Sequence, residues 1–324
     1  MSHQSGDEQY IIRGVQGATD IGVGIFARDG IARGRLIMAA TSDFSLEQPD
    51  RRNIPSMSIF MQYLRLEETA QERYLALCAA KNADLERYNR EVQDEKIDGK
   101  HISSLGQQSI AGKVVAIFHN NAFGYRDTAT GRKMQGMLIE ASRFNHSCTP
   151  NLSHTWNDEL QKRTFRTIRE IQDDEELTIS YIPLLQRPEA RSQSLFEQFG
   201  FTCNCNACDE SSKFGRLSAD RRTQLEDLDL DRVSPVSDSW FDTCKTMIYL
   251  LEEEGIHGWE KGEIHEQLAD LYQHGGDDKS GHEHIQFAAN IAYGCFGATH
   301  PIVPGLQQKL LLAQAQRTRA PWEE

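Results

Sequence analysis

Asn145-His146-Ser147-Cys148-Thr149-Pro150-Asn151, followed later in the chain by Glu176-Leu177-Thr178-Ile179-Ser180-Tyr181, are the stretches whose reading decides the fold. The second is an apolar strand that ends in a tyrosine. Past it stand Phe199, Phe201 and three closely spaced thiols, Cys203, Cys205 and Cys208. Tetrahedral zinc takes four nitrogen or sulfur ligands at about 2.0–2.3 Å, and a tight turn presenting three thiolates supplies most of such a site. The fourth ligand has to come from elsewhere in the chain. Cys78, Cys244 and Cys295 lie within apolar helical stripes and read as packing residues.

Working outward, the 324-residue chain is 39% hydrophobic and 26% charged, ordinary values for a globular protein. It has no run of about eighteen apolar residues, so no membrane span is expected. The first residues, Met1–Glu8, are polar and offer no apolar signal core. Seven cysteines, unevenly spread, do not form a disulfide framework and fit a reducing compartment, cytoplasm or nucleus. Arg51-Arg52 and Arg221-Arg222 are too short to read as nuclear-localisation clusters. A net charge of −13 argues against direct nucleic-acid binding, which needs clustered Lys and Arg. It suits a basic partner such as a Lys-rich protein segment, or it simply maintains solubility.

Strand character opens the chain at Tyr10–Ile12, Gly22–Ala27 and Arg35–Met38. From Ser56 to Arg90 the period becomes helical, with Ile59, Phe60, Tyr63, Leu64 and Leu66 on one stripe and Tyr74, Leu77, Cys78, Leu85 and Tyr88 on another. A polar stretch from Asp94 to Gly106 reads as a loop. Strands are expected again at Val114–Phe118, Leu138–Ile139, Thr164–Ile168 and Leu177–Ile179. The run Asp173-Asp174-Glu175-Glu176 reads as a solvated turn before a strand, not as a catalytic carboxylate cluster. Beyond Lys213 the chain is helical, with Gly255 and Gly275-Gly276 as stop signals. His274, His282 and His284, around Asp277-Asp278, read as part of a connector between helices and not as a metal site.

This order of parts resembles the SET-domain protein-lysine methyltransferases, in particular the SMYD-like branch. The likeness rests on Gly22–Ala27, on the stretch from Asn121-Ala122-Phe123 to Asn151, on Glu175–Tyr181, and on Phe199-Gly200-Phe201-Thr202-Cys203-x-Cys205-x-x-Cys208. Together these frame residues 10–210. The resemblance implies an α+β protein: a β-rich SET fold with a helical insertion, a zinc-binding post-SET segment and a helical, tetratricopeptide-like (TPR-like) C-terminal domain. The corresponding division is 1–44 for the first SET strands, 45–110 for the insertion, 111–185 for the SET core, 186–212 for the post-SET segment and 213–324 for the C-terminal helices. Two departures stand out. Between Ile25 and Phe144 only Cys78 is present, so the MYND zinc module is expected to be missing. Phe199 stands where relatives often carry a tyrosine, which leaves the number of methyl groups transferred open.

The implied reaction moves the S-adenosylmethionine methyl to a lysine amine of a protein or peptide substrate, histone or not. Free lysine has a pKa of about 10.4, so neutralising it near pH 7 costs about 4–5 kcal/mol, much of which a dry aromatic channel recovers. By resemblance Tyr181 is the catalytic residue and also touches the cofactor, while Asn121 and Phe199 line the substrate channel. Gly22, Val23 and Gly24 approach the cofactor with their backbone, Asn145 and His146 hydrogen-bond its adenosine part, and Phe201 stacks on the adenine. Cys148 completes the zinc site of Cys203, Cys205 and Cys208. The zinc is expected to be structural and needed for cofactor affinity, because Cys148 follows Asn145 and Cys203 follows Phe201 closely in sequence. The competing reading is a catalytically silent SET module serving as a peptide-binding or scaffold protein.

Overall fold

The computed structural model describes residues 9–15, 22–48, 54–80, 83, 85–93, 96–97, 100–101, 108–231 and 240–318. The polar N-terminus Met1–Glu8, the Arg51-Arg52 pair and most of Asp94–Gly106 lie outside them. The protein is α+β, and its described residues form two compact units. One takes the residues up to Ala39, Phe144–Arg191 and those from Cys203 onward; the other takes Ala40–Arg143 and Ser192–Thr202.

In the first unit, β1 (Tyr10–Gly14) and β2 (Val23–Ala27) form an antiparallel hairpin that pairs Tyr10 with Ala27 and Gly14 with Val23. Two later strands complete that sheet: β9 (Asn145–His146) and β12 (Glu176–Ile179), in the order β1-β2-β12-β9. β12 runs antiparallel to β2 and parallel to β9, with Thr178 opposite Asn145 and Ile179 opposite His146. The N-H-S-C stretch and the strand ending in Tyr181 thus lie side by side. β10 (Leu152–Asn157), β11 (Lys162–Thr167) and β3 (Leu36–Ala40) make a second sheet.

The second unit contains β4 (Phe44–Glu47), β7 (Phe123–Arg126) and β8 (Lys133–Met137) in one sheet, and a two-residue hairpin of β5 (Lys96–Ile97) and β6 (Lys100–His101). That hairpin falls in the stretch expected to be loop. Helices α1 (Ser56–Leu64), α2 (Glu68–Leu75) and α3 (Leu85–Gln93) form the expected insertion. Val114–Phe118 is a correction: it belongs to a helix, α4 (Gln108–Asn121), not a strand. A short apolar run does not by its period separate a buried helix from a buried strand. Here Val114, Val115, Ile117 and Phe118 are all buried, with Ile59, Phe60, Tyr63 and Tyr74 in the same core cluster. Packing on several sides overrides the strand preference of the β-branched residues. Cys78 is likewise corrected: it lies past the end of α2 and is exposed.

α5 (Pro188–Phe199) starts on a proline, whose fixed φ and missing N–H suit a first helical position, and its chain passes from one unit to the other. The C-terminal region is helical as expected: α6 (Lys213–Asp231), α7 (Trp240–Glu253), α8 (Trp259–His274), α9 (Asp278–Phe296) and α10 (Ile302–Thr318). Consecutive helices from α6 to α10 are packing neighbours, and α9 also lies on β10 and β11. Gly255, at φ +67°, closes α7: its N–H reaches the Glu252 carbonyl at 3.0 Å, and Ile256 N–H reaches the Leu251 carbonyl at 2.9 Å. After α8, Asp277 accepts from Ser280 N–H at 3.0 Å and starts α9 at once. His282 and His284 therefore sit inside a helix and not in a connector, and His284 Nδ1 lies 2.9 Å from His265 Nδ1.

Candidate active site and metal centre

Because β9 and β12 are parallel neighbours, the chain beyond each strand turns into the same region. Ser147 N–H bonds the Ile179 carbonyl at 3.0 Å, and Tyr181 N–H donates to His146 Nδ1 at 3.1 Å. The Tyr181 hydroxyl donates to the Phe144 carbonyl at 2.6 Å, so both ends of this tyrosine are tied to the segment that carries the N-H-S-C motif. The His146 and Tyr181 rings stand 5.3 Å apart at a 50° tilt.

His146 is held neutral. Burial pushes its pKa down to about 4, and the Arg191 guanidinium adds to this against an opposing pull from Cys205. Nδ1 is already an acceptor for Tyr181, and Nε2 lies 3.3 Å from Cys148 Sγ. That is the arrangement of an N–H donor beside a metal-ligating sulfur.

Asn145 faces the other way. Its Nδ2 donates to Glu176 Oε1 at 2.7 Å and to the Val23 carbonyl at 3.3 Å, joining β9, β12 and β2. This crossing explains Gly24: a Cβ there would lie 2.4 Å from Glu176 Oε1 and 2.9 Å from Asn145 Nδ2. Gly22 stands just before β2 and Val23 opens it, the Gly22 carbonyl accepting from Val15 N–H at 2.8 Å.

Asn151, the last residue of the opening motif, is 1% exposed and ties down the strand that leads to Tyr181. Its Nδ2 donates to the Glu176 carbonyl at 2.8 Å and to Glu175 Oε1 at 2.9 Å, and its Oδ1 accepts from Thr178 N–H at 2.8 Å. The solvated-turn reading of 173–176 holds for Asp173 and Asp174, which are exposed, and fails for the two glutamates. Glu175 ion-pairs with Arg169 and accepts from Gln172 N–H at 2.9 Å. Burial alone would raise its pKa, but these hydrogen bonds outweigh it and hold the carboxyl below the usual range.

The sulfur atoms of Cys148, Cys203, Cys205 and Cys208 all lie within 4.8 Å of one another, with Cys148 and Cys208 Sγ 3.6 Å apart. A tetrahedral site with Zn–S of about 2.3 Å requires sulfurs about 3.8 Å apart. The residues present therefore fit zinc, and four sulfurs without a carboxylate favour it over hard cations. The turn that presents them is closed by Cys208 N–H on the Cys205 carbonyl at 2.8 Å. Hydrogen bonds from the Cys148 and Cys203 thiols hold Cys205 far below the usual thiol value, and the same contacts push Cys203 up. A bound zinc would take the place of those shared protons. Cys148 is anchored from the helical region as well: Arg222 Nη2 donates to its carbonyl at 2.7 Å, and Arg222 Nε pairs with Glu254 Oε2 at 2.6 Å, both side chains being fully buried. Nothing local in the sequence marks Arg222 or Glu254.

Asn121, Phe199 and Phe201 belong to the second unit. Asn121 Nδ2 donates to the Ile117 carbonyl at 2.7 Å and the Cys78 carbonyl at 2.8 Å, ending α4. Phe199 is the last residue of α5, and Gly200, at φ +72°, turns the chain toward Phe201. In the first unit a cavity of about 280 Å³ lies beside the end of β12, lined among others by Leu152, His154, Ser180, Ile182, Trp259 and Phe296.

A profile of the SET domain family matches residues 22–182, the span from the residue before β2 to the residue after Tyr181. The chain carries a SET domain. The histone-lysine N-methyltransferase set5 of Schizosaccharomyces pombe is 37% identical over 115 residues, 35% of this chain and 34% of that protein. The N-lysine methyltransferase SMYD2-A of Danio rerio is 27% identical over 162 residues, 48% of this chain and 37% of the relative. This chain thus spans about a third of the length of these curated relatives. The solved SET domain of LSMT, bound to lysine and AdoHcy, aligns with 98% of this chain and 92% of its own at 13% identity and a TM-score of 0.39, too distant to add to the assignment. Within the SET domain lie Gly22, Val23, Gly24, Asn121, Asn145, His146, Cys148 and Tyr181; Phe199, Phe201 and the three clustered thiols follow it. No helix among the described residues is long and apolar enough to cross a membrane.

Proposed function

We propose that this protein transfers a methyl group from S-adenosylmethionine to a lysine side chain of a protein substrate. The observation that carries this reading is the SET domain in which the Tyr181 hydroxyl is anchored at 2.6 Å beside the N-H-S-C strand. The cofactor supplies an electrophilic methyl for in-line displacement by the neutral amine. Acceptors stand among the groups this site offers: the Glu176 carboxylate and Asn145 Oδ1. Such a set suits a ligand bearing a sulfonium and an ammonium. Tyr181 commits its proton to Phe144, so its oxygen would act toward the methyl and the amine as an acceptor, by positioning and not by covalent help. His146 has both ring nitrogens engaged inside the protein, so its contribution to cofactor binding comes through the main chain of β9, the edge strand of its sheet. Gly22, Val23 and Gly24 would complete the cofactor site, Phe201 would stack on the adenine, and Asn121 and Phe199 would line the lysine channel.

Cys148, Cys203, Cys205 and Cys208 would hold a structural zinc. Zinc binding in small peptides is worth about 10–16 kcal/mol at neutral pH, enough to order the segment after α5. Reduced thiols fit the cytoplasm or nucleus, and the net charge of −13 suits a basic protein segment, histone or other, as substrate. The five-part division, from the first SET strands at 1–44 to the C-terminal helices at 213–324, remains our proposed domain scheme.

The first test is calorimetric titration of zinc-assayed protein with S-adenosylmethionine, then methyl transfer from a labelled donor to lysine peptides. Tyr181→Phe should lower turnover about 10²–10³-fold, the scale of losing one positioned hydroxyl at a reacting centre, while zinc content stays unchanged. Wild-type turnover by that variant would remove Tyr181 from the chemistry. Zinc-loaded protein that binds no S-adenosylmethionine would favour the scaffold reading.

A further inference from the structure

The cavity of about 280 Å³ beside the end of β12 is separate from the proposed methyl-transfer residues: none of Tyr181, Asn145, His146 and the four clustered thiols lines it. Its walls come from β10, from the chain just past β12 and from the first turn of α8, with Phe296 at the end of α9. Leu152, Ile168, Ile182 and Leu184 make one side apolar, and all four are buried. Among the described residues that line the cavity, Glu260 alone carries a formal charge. His154 adds none. Arg163 Nη1, outside the lining, donates to its Nδ1 at 2.8 Å, and a second bond ties its ring to the Ser180 main chain.

The Glu260 carboxylate is folded back over Gly258, where a Cβ would lie 2.5 Å from Oε2. It accepts from its own N–H and pairs with no Lys, Arg or His among the described residues. Arg222 acts on it only at a distance, its guanidinium being engaged by Glu254 and by the carbonyls of Leu184 and Cys148. Burial pushes the Glu260 carboxyl up, as expected of a carboxylate short of a counter-ion. Next to it stand the rings of Trp259 and Phe296, with centroids 5.7 Å apart at 58°, and His300 stacks on Phe296 at 4.5 Å. Hard metal ions take about six or more oxygen ligands, which this cavity does not offer. One carboxylate beside two aromatic rings is instead the chemistry that holds an organic cation. The volume falls just below the range of about 300–1,000 Å³ typical of drug-sized pockets, so it suits a small amine or one side chain. We propose that this cavity is a second binding site, for an alkylammonium group, with its carbon stem against Leu152, Ile168 and Ile182 and its positive head between Glu260, Trp259 and Phe296. Lysine, methylated lysine and small quaternary amines share this chemistry.

The test titrates the full chain with choline, butylammonium and a peptide carrying one trimethyllysine. Binding is followed by the indole N–H resonance of Trp259, identified by its loss in Trp259→Leu. Choline should shift that resonance saturably, and dimethylbutanol, its neutral carbon isostere, should not. Glu260→Gln should weaken choline binding about 30-fold or more, the scale of removing one partner of a buried charge pair. The same variant should hold or raise the thermal midpoint, because an unpaired buried charge is gone. Shifts by the two amines alone assign the site to free amines, and a tighter response to the peptide assigns it to a protein side chain. Three results overturn the inference: equal response to choline and dimethylbutanol, no saturable shift with any of the three ammonium compounds at millimolar concentration, or undiminished choline binding in Glu260→Gln. The site stands apart from the methyltransferase reading, which none of these results touches.

Discussion

Asn151→Ala tests the anchoring of the strand that leads to Tyr181. The side chain holds three partners at 2.8–2.9 Å: Thr178 N–H, the Glu176 carbonyl and Glu175 Oε1. Glu175 keeps Arg169 and Gln172 after truncation, so its loss is small. Thr178 N–H and the Glu176 carbonyl lose a buried partner, each at a cost of about 1–3 kcal/mol. The sum is about 2–6 kcal/mol, and at about 2 °C per kcal/mol for a chain of this size, the midpoint falls by about 4–12 °C. Thermal unfolding followed by circular dichroism reads this directly. Asn151→Asp provides the sharper comparison. It keeps the acceptor for Thr178 but turns two donated hydrogen bonds into an acceptor facing two acceptors. Its carboxyl is then more basic in the folded than in the unfolded chain, so its penalty is full at neutral pH and shrinks as pH falls through the folded-state value. An Asn151→Ala midpoint within about 1 °C of wild type, or an Asn151→Asp deficit independent of pH, would refute the anchoring argument.

Other expectations follow from single contacts. Gly24→Ala places a methyl 2.4 Å from Glu176 Oε1, so the Asn145–Glu176 bond must open; about 1–3 kcal/mol of stability is lost, and S-adenosylmethionine binding by calorimetry weakens with it. Glu254→Gln leaves buried Arg222 without its counter-ion and costs about 3–5 kcal/mol in denaturant unfolding. His154 is held neutral down to about 3 by burial, with the Arg163 guanidinium adding to the effect. Its folded pKa lies below the ordinary histidine value, so the unfolded chain takes up the proton first. Stability therefore declines as pH falls from about 6.5 toward 3, by at most about 1.4 kcal/mol per pH unit from this group. His154→Gln should flatten that slope in denaturant titrations at pH 7 and 5, and an unchanged slope would show the histidine to be irrelevant.

Much of the site is legible in the amino-acid sequence alone. The order of N-H-S-C, the strand ending in Tyr181 and the thiol cluster carries the SET assignment, because hydrogen-bonding side chains and thiols at fixed spacing are a local property of the chain. Helical periods after Lys213 and the stops at Gly255 and Gly275-Gly276 are local too, since backbone φ and amphipathic spacing act within a few residues. Other features are not local. Val114–Phe118 is as apolar as a buried strand, and only its enclosure within the core settles it as helix. Glu175 and Glu176 look like solvated turn residues until Asn151 and Asn145, distant in sequence, are brought to them.

The chain by itself determined which residues could bind a soft metal and which would, on the proposed function, position an amine, since that capacity resides in side-chain chemistry. Tertiary structure alone decided their working state. The parallel pairing of β9 with β12 fixes the Tyr181 hydroxyl on Phe144 and uses up both His146 nitrogens. The placement of α6 brings the buried Arg222 guanidinium, paired with Glu254, onto the Cys148 carbonyl. Charge burial and hydrogen-bond saturation depend on neighbours distant in sequence, so no reading of spacing supplies them.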